Sequence, residues 1–457
     1  MLPFMNRRAR SVFGTRNIKT PAKLRAAPKP PSIFAALFGG AILLLPQFAL
    51  AQSDFNSGDT SWMIVATVLV LLMTLPGLAL FYGGLVRAVN VISVLMHCYA
   101  IACVASVLWL IVGYSLAFGD GGALHRWIGG LDKVMLSGVD GGSLSGSIPE
   151  TVFFMFQMTF AIITPALIVG AYVERIKFSH VLIMSSLWLL VVYAPVTHWI
   201  WGGGFLGDMG VLDFAGGLVV HATAGTSAVV IVALLGSRRS FPHHLEPPHN
   251  PGLTVIGASL LWVGWFGFNA GSALVADGSA GMAMVVTHIS AATASLVWLL
   301  CEWIRFGKPS LIGTVTGTIA GLATVTPAAG FIGPVGGLIC GLAGGFGCYY
   351  AVHLIRNRIG LDDSLDVFAV HGVGGLLGTL LIAPLATELF AGGGLDVSML
   401  DQLGRQVTGA LVVVGWSIAA TFVIVLVVRL FFGLRVDTKA EAEGLDYAAH
   451  GERSYNL

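Results

Sequence analysis

Eleven stretches of this chain are too apolar to leave in water and too long for the helices of a soluble core. They run at about 62–84, 91–118, 150–172, 178–200, 215–236, 252–274, 280–303, 310–328, 332–355, 367–387 and 406–432. About 20 apolar residues is the length that crosses a bilayer as a helix. In hydrocarbon, every backbone N–H and C=O must find its partner within such an element. The fold class follows: an all-α membrane protein of eleven transmembrane helices. Composition agrees, since 56% hydrophobic and 10% charged residues leave too little polar surface for a soluble protein. The 60 glycines predict a tight bundle, because small residues let helix backbones approach closely in lipid.

The amino terminus reads differently. Residues 1–32 carry eight Lys/Arg and no acid, and Ile33–Leu50 is apolar and ends in Ala49-Leu50-Ala51. A charged stretch, an apolar stretch and a small-x-small site describe a signal peptide over 1–51. Gln52 then becomes the mature start, outside the cell. Starting from there, the inner loops and tail collect thirteen Lys/Arg, from Arg87 to Arg453, against Arg126, Lys133 and Arg405 outside. That bias sets the amino terminus out and the carboxyl terminus in.

Two ionisable residues stand out within the spans. His221 lies in span five within Val220-His-Ala-Thr-Ala-Gly225, and His371 in span ten within Val370-His-Gly-Val-Gly-Gly375. Ionisable side chains at membrane depth are costly and mark solute or ion pathways. Five spans separate the two, an odd number, so the second unit is inverted. An inverted 5+5 repeat places a site near the midplane where the two halves meet. Two facing neutral imidazoles can share a proton and still address a solute. His97 and His288 also lie in spans but lack the matching context, and are read as packing residues. The same holds for Cys98, Cys103, Cys301, Cys340 and Cys348, none of which forms a CxxC pair.

Six motifs occur in order: Phe81-Tyr-Gly-Gly-Leu-Val-Arg87, Gly170-Ala-Tyr-Val-Glu-Arg175, Trp201-Gly-Gly-Gly204, Leu212-Asp-Phe-Ala-Gly-Gly217, Gly264-Trp-Phe-Gly-Phe-Asn-Ala-Gly-Ser272 and Asp366-Val-Phe-Ala-Val-His-Gly372. With them, residues 55–455 resemble the ammonium transporters (the Amt/Mep/Rh group). The tail, Gly444-Leu-Asp446 with His450-Gly-Glu452, looks like the Amt/Mep branch.

The resemblance implies a hydrophobic pore lined by the twin histidines His221 and His371. Phe160, Trp201 and Ser272 are implied as an outer recruitment site, with Trp265 on its wall. Phe160 and Phe268 would stack below it as a gate. Asp213 is read as a helix N-cap that accepts backbone N–H groups, rather than as a direct ligand of ammonium. Asp366 is read as its inner counterpart, also a cap. The resemblance further implies a homotrimer in the inner membrane, with residues 433–457 as a cytoplasmic regulatory tail behind the transmembrane domain 52–432. A PII-type signalling protein is the implied partner at the cytoplasmic face.

Ammonium and potassium are alike in size and charge, so a charged pore would separate them poorly. Carrying a cation into a dry pore costs several kcal/mol, and desolvation favours the neutral form of a cationic acid. Deprotonation at the outer site, passage of ammonia past the histidines and reprotonation inside is the cheaper route, and potassium has none like it. An alternative is an ammonium sensor of the same fold with minor flux. No nucleophile–base pattern, nucleotide fingerprint, metal cluster or cofactor motif appears, so an enzyme is not expected.

Overall fold

The computed structural model describes residues 55–455, apart from Leu245 and Ala391. The expected signal peptide lies outside the described residues. Eleven helices are long and apolar enough to cross a membrane: α1 (Ser57–Leu85), α2 (Ala88–Phe118), α3 (Glu150–Tyr172), α4 (Phe178–Asp208, broken at 202–204), α5 (Gly217–Leu235), α6 (Pro251–Gly271), α7 (Gly278–Phe306), α8 (Leu311–Ala328), α9 (Pro334–Ile359), α10 (Phe368–Leu385) and α11 (Met399–Phe431). Two short helices follow, α12 (Thr438–Glu443) and α13 (Leu445–His450). The only sheet among the described residues is a hairpin of two-residue strands, Leu144–Ser145 and Ile148–Pro149.

Several helices start where a polar side chain captures their free amides. The Asn56 Oδ1 accepts from the N–H groups of Gly58 and Asp59 at 2.8 and 3.1 Å. Asn250 caps α6 through the Leu253 N–H at 3.0 Å, with Pro251 at the first helical position. Ser398 does the same for α11 through Asp401 at 3.1 Å. These caps explain why α1 and α11 begin five and seven residues before the apolar runs at 62 and 406: their first turns are polar but capped.

Helices α5 and α10 are the equivalent elements of the two inverted halves. They cross backbone to backbone, and a Cβ on Gly225 would lie 2.4 Å from the Gly372 Cα. Both open with a π-helical turn, Gly217–Ala222 in α5 and Phe368–Gly372 in α10. Such turns add a residue to the helical ring and recur at functional sites. Helix α11 stands outside the repeat and packs on α4, α5 and α10.

The tail folds back onto the turns between α1 and α2 and between α3 and α4. Arg435 donates to both Glu441 carboxylate oxygens at 2.7 and 2.8 Å, and Arg87 donates to the Glu441 carbonyl at 2.7 Å. The Asp446 Oδ1 accepts from the Ser93 N–H at 2.8 Å, and the Leu445 N–H donates to Asn90 at 2.8 Å. Below it, the fully buried Arg175 donates to five groups, among them Ser364 Oγ at 2.7 Å and the Asp362 carbonyl at 2.8 Å. Asp362 in turn holds Arg238, whose other arm reaches Glu174 at 3.2 Å. A buried charge is tolerable only when paired and hydrogen-bonded this fully.

Candidate functional site

Three helix segments converge on an open pocket of about 470 Å³, at the end of the bundle that the sequence reading expects to be the outer one: α3 brings Phe160, the end of α4 brings Trp201, and the end of α6 brings Ser272. No charged side chain lines it. The α4 helix stops at Trp201 because the chain turns sharply there; Gly203 sits at φ +85°. The Trp201 indole N–H donates to the Asp213 carbonyl at 2.7 Å, which fixes its ring. The Ser272 hydroxyl donates to the Phe268 carbonyl at 2.8 Å. Its proton is thereby committed, and its lone pairs are left to accept from a donor in the pocket. Phe160 meets Trp201 edge to face, with ring centroids 5.8 Å apart.

The same pocket is lined by Gln157, which sequence reasoning passed over. Its side-chain oxygen is buried without a hydrogen-bond partner among the described residues. A lone amide among the phenylalanines of α3 was the available signal.

Below this pocket the path closes. The rings of Phe160 and Phe268 lie 4.3 Å apart, both buried. Beyond them a narrow cavity of about 10 Å³ leads to both histidines, roughly the room one water-sized molecule needs. Apart from the two imidazoles its lining is apolar, with Leu167, Leu261 and Ile319 on its walls. His221 and His371 approach Nδ1 to Nδ1 at 3.3 Å, with ring planes 23° apart. One Nδ1 must donate and the other accept, so a neutral pair leaves one Nε2 as donor and the other as acceptor. The His221 Nε2 has no partner among the described residues.

Trp265 belongs here and not on the outer wall, which corrects the sequence reading. Its ring stacks on His221 at 5.5 Å and 25°, and it lines the inner cavity, not the outer pocket. Its N–H donates to Thr326 at 2.9 Å, within a chain that continues to Asn269 and Thr287. The spacing carried the signal: Trp265 precedes Ser272 by seven residues, about 10 Å along a helix axis.

Asp213 caps α5. Its two oxygens accept from the N–H groups of Gly216, Gly217, Leu218 and Val219 at 2.9, 2.6, 2.8 and 3.0 Å. The cap expected of Asp366 is supplied instead by Asp363, whose Oδ2 accepts from the Phe368 N–H at 2.7 Å. Asp366, at φ +59°, turns its carboxylate to Arg356, with both oxygens 2.9 Å from one guanidinium nitrogen. The repeat itself pointed to Asp363, since it and Asp213 each lie eight residues before a histidine. Burial and the neighbouring Asp366 charge push the Asp363 carboxyl up to about 7.

On the far side of the histidines a second open pocket of about 250 Å³ reaches His371, with Arg238, Arg356 and Asp366 in its lining. His97 and His288 lie away from this line. His97 packs against Phe178 at 5.8 Å, and His288 against Trp262 at 5.2 Å.

The model of the Ammonium Transporter Family matches residues 61–455. The ammonium transporter of Bacillus subtilis is 43% identical over 87% of this chain and 98% of its own length. Among solved structures, Saccharomyces cerevisiae Mep2 aligns with a TM-score of 0.77 and 31% identity, covering 84% of this chain and 89% of that one. A structure described as a sensor Amt protein aligns with a TM-score of 0.80 and 29% identity, covering 86% of this chain and 98% of that one.

Proposed function

The chain belongs to the ammonium transporter family, and from that premise we propose that it recruits ammonium at the Phe160–Trp201–Ser272 pocket, deprotonates it there and conducts ammonia past His221 and His371. The observation that carries the reading is the change of lining along one line. An aromatic pocket with free acceptors gives way to a closed pair of rings, and then to a dry bore with only two polar side chains.

Each stage has its chemistry. A cation is drawn to aromatic faces by about 0.5–2 kcal/mol, and most by tryptophan. The Ser272 lone pairs add an acceptor that potassium cannot use as a donor would. In the narrow cavity a full charge has almost no compensating dipoles, so the neutral molecule enters at far lower cost. The histidine pair offers both a donor and an acceptor to it. Their shared Nδ1 contact also supplies a route by which the separated proton can cross. Gln157, Asp213 and Trp265 act by position: one as a further acceptor at the mouth, one by holding the start of α5, one by bracing His221.

The amino terminus is assigned outside and the tail inside, in the inner membrane, on the lysine and arginine bias. Residues 433–457 are assigned a regulatory role because Glu441 and Asp446 clamp the start of α2 and His450 packs on Phe178 at the start of α4. A homotrimer and a PII-type partner at that face complete the assignment, as in the family the motifs resemble. The sensor reading remains the alternative, favoured by the likeness to the structure described as a sensor.

The deciding experiment measures current across a supported membrane of protein vesicles, with internal pH, on stepping ammonium against potassium. Current with ammonium alone supports charge-coupled transport, and internal alkalinisation without current supports neutral passage. Neither signal in folded protein would sink the transport reading and leave the sensor.

A further inference from the structure

Helix α11 stands outside the inverted repeat, yet its first turns carry two glutamines one turn apart. Gln402 and Gln406 are 3% and 0% exposed. An amide inside a membrane bundle is tolerated when its donors and its acceptor are all used. Gln406 uses every one. Its Oε1 accepts from the Leu212 N–H at 2.8 Å and from the Gln402 amide at 2.9 Å. Its Nε2 donates to the Leu212 carbonyl at 2.7 Å and to the Thr379 carbonyl of α10 at 3.2 Å. Gln402 donates in addition to the Gly210 carbonyl at 3.0 Å.

The two bonds to Leu212 are those a neighbouring strand would make, one to each backbone group. Residues 211–213 belong to no helix or strand, so side chains have to supply what a ladder would. Gly409, three residues beyond Gln406 and on the same face of α11, lets the segment come close. A Cβ there would lie 2.7 Å from the Val211 Cγ1.

Leu212 leads into the Phe160–Trp201–Ser272 pocket. The next residue, Asp213, takes the Trp201 indole N–H on its carbonyl at 2.7 Å, and Phe214 lines the pocket itself. Trp201 ends its helix, and its ring is set by that hydrogen bond and by the edge-to-face contact with Phe160 at 5.8 Å. Asp213 is thus anchored in two ways. Its carboxylate rests on four amides of α5, whereas its main chain is held, through the adjoining Leu212, by Gln406.

We propose that Gln406 is a positioning residue of this pocket: by clasping Leu212 it sets the Asp213 carbonyl, and through it the face that Trp201 turns to a cation. The proposal rests on the recruitment role given to Trp201 above. It makes α11 a working part of the site and separates two duties of one short segment. Loss of the clasp disturbs the ring, while the carboxylate cap keeps α5 and His221 in place.

The test is a concentration series of ammonium flux in protein vesicles, read as current or internal pH, with folding checked by thermal unfolding. Gln406→Leu should raise the half-saturating concentration about fivefold, within the roughly thirtyfold ceiling set by removing the ring, and change maximal flux by less than about twofold. In Trp201→Ala protein the same change should add nothing, because two changes that act through one group are not additive. If Gln406→Leu does not fold, Gln402→Leu, which removes only the support of Gln406, takes its place, with a smaller shift in the same direction. Thr421→Val takes an equally buried polar group from α11, one bonded to Ser227 at 2.8 Å and to Trp188 at 3.2 Å, and should leave half-saturation unchanged. Three results would make Gln406 a general support of the bundle and overturn the proposal: a fall in maximal flux without a shift in half-saturation, a shift that persists in full beside Trp201→Ala, or an equal shift from Thr421→Val. A normal Trp201→Ala effect beside a silent Gln406→Leu overturns the proposal alone. Unchanged half-saturation in Trp201→Ala overturns the recruitment reading, and this proposal with it.

Discussion

The segments 213–221 and 363–371 are the same construction seen from opposite sides of the membrane. Each is an aspartate, a short irregular stretch, a π-helical turn and a histidine eight residues on. They differ in finish. Asp213 spends both oxygens on four amides of α5. Asp363 engages the Phe368 N–H through one oxygen, and its Oδ1 has no partner among the described residues. The outer copy is sealed under Trp201, whereas the inner copy opens into a pocket lined by charges. The lesson is that symmetry of the backbone fixes where the two rings stand, and the polar finish decides what each half can do. On the function proposed above, the half that binds and strips a cation is the one held at four amides, and the half that releases the product is held less tightly.

The contrast can be broken at its strongest point first. Asp213→Ala strands four buried amides, at about 1–3 kcal/mol for each buried group left unpaired. It should lower stability by at least about 3 kcal/mol and abolish flux, whereas Asp363→Ala should cost only about 1–2 kcal/mol. Thermal unfolding in detergent and vesicle flux measure both, and equal losses would remove the distinction between the halves.

The second effect is a pH dependence confined to the inner copy. With the Asp363 carboxyl pushed up to about 7 when folded and near 4 when unfolded, its contribution is fully present below about pH 4. It fades as pH rises through 7. The unaltered protein should therefore lose stability between pH 5 and 8 relative to Asp363→Asn, and a constant difference between the two would refute the assignment.

Trp201→Ala should act on recruitment alone. Losing up to about 2 kcal/mol of cation attraction raises the ammonium concentration for half-maximal current by as much as about thirtyfold. Its test is a concentration series; a fall in maximal current with no shift in midpoint contradicts a recruitment role. The smallest effect belongs to Asp366→Asn, which removes a partly exposed ion pair worth about 0–1 kcal/mol. Stability and half-saturation should both stay near the unaltered values, and a loss as large as that of Asp363→Ala would restore Asp366 as a cap.

Hydropathy made the eleven helices legible, because the bilayer imposes length and polarity together. The caps at Asn56 and Ser398 were less so, since hydropathy says nothing about a polar first turn. The histidine pair could be read because two costly residues in inverted copies share one explanation. Asp363 was missed although its spacing to His371 repeats that of Asp213. The eye settles on the aspartate inside the motif, and only the direction of a carboxylate tells a cap from an ion pair. Trp265 was misplaced for a related reason: motifs list neighbours in sequence, while depth along α6 decides which pocket a ring enters. The π-helical turns depend on packing between distant segments and left no local mark.

The meeting of Gly225 with Gly372 has one more consequence. Main chain rests on main chain there, with no side chain between to bend or change rotamer. The distance between the two imidazoles therefore behaves as a hard stop. On the proposed function, motion that admits a molecule falls to side chains that can swing, and the closed rings of Phe160 and Phe268 are the ones that stand in its way. The molecule thus divides its labour between a valve that moves and a gauge that does not, and a change at either glycine alters the gauge for both halves at once.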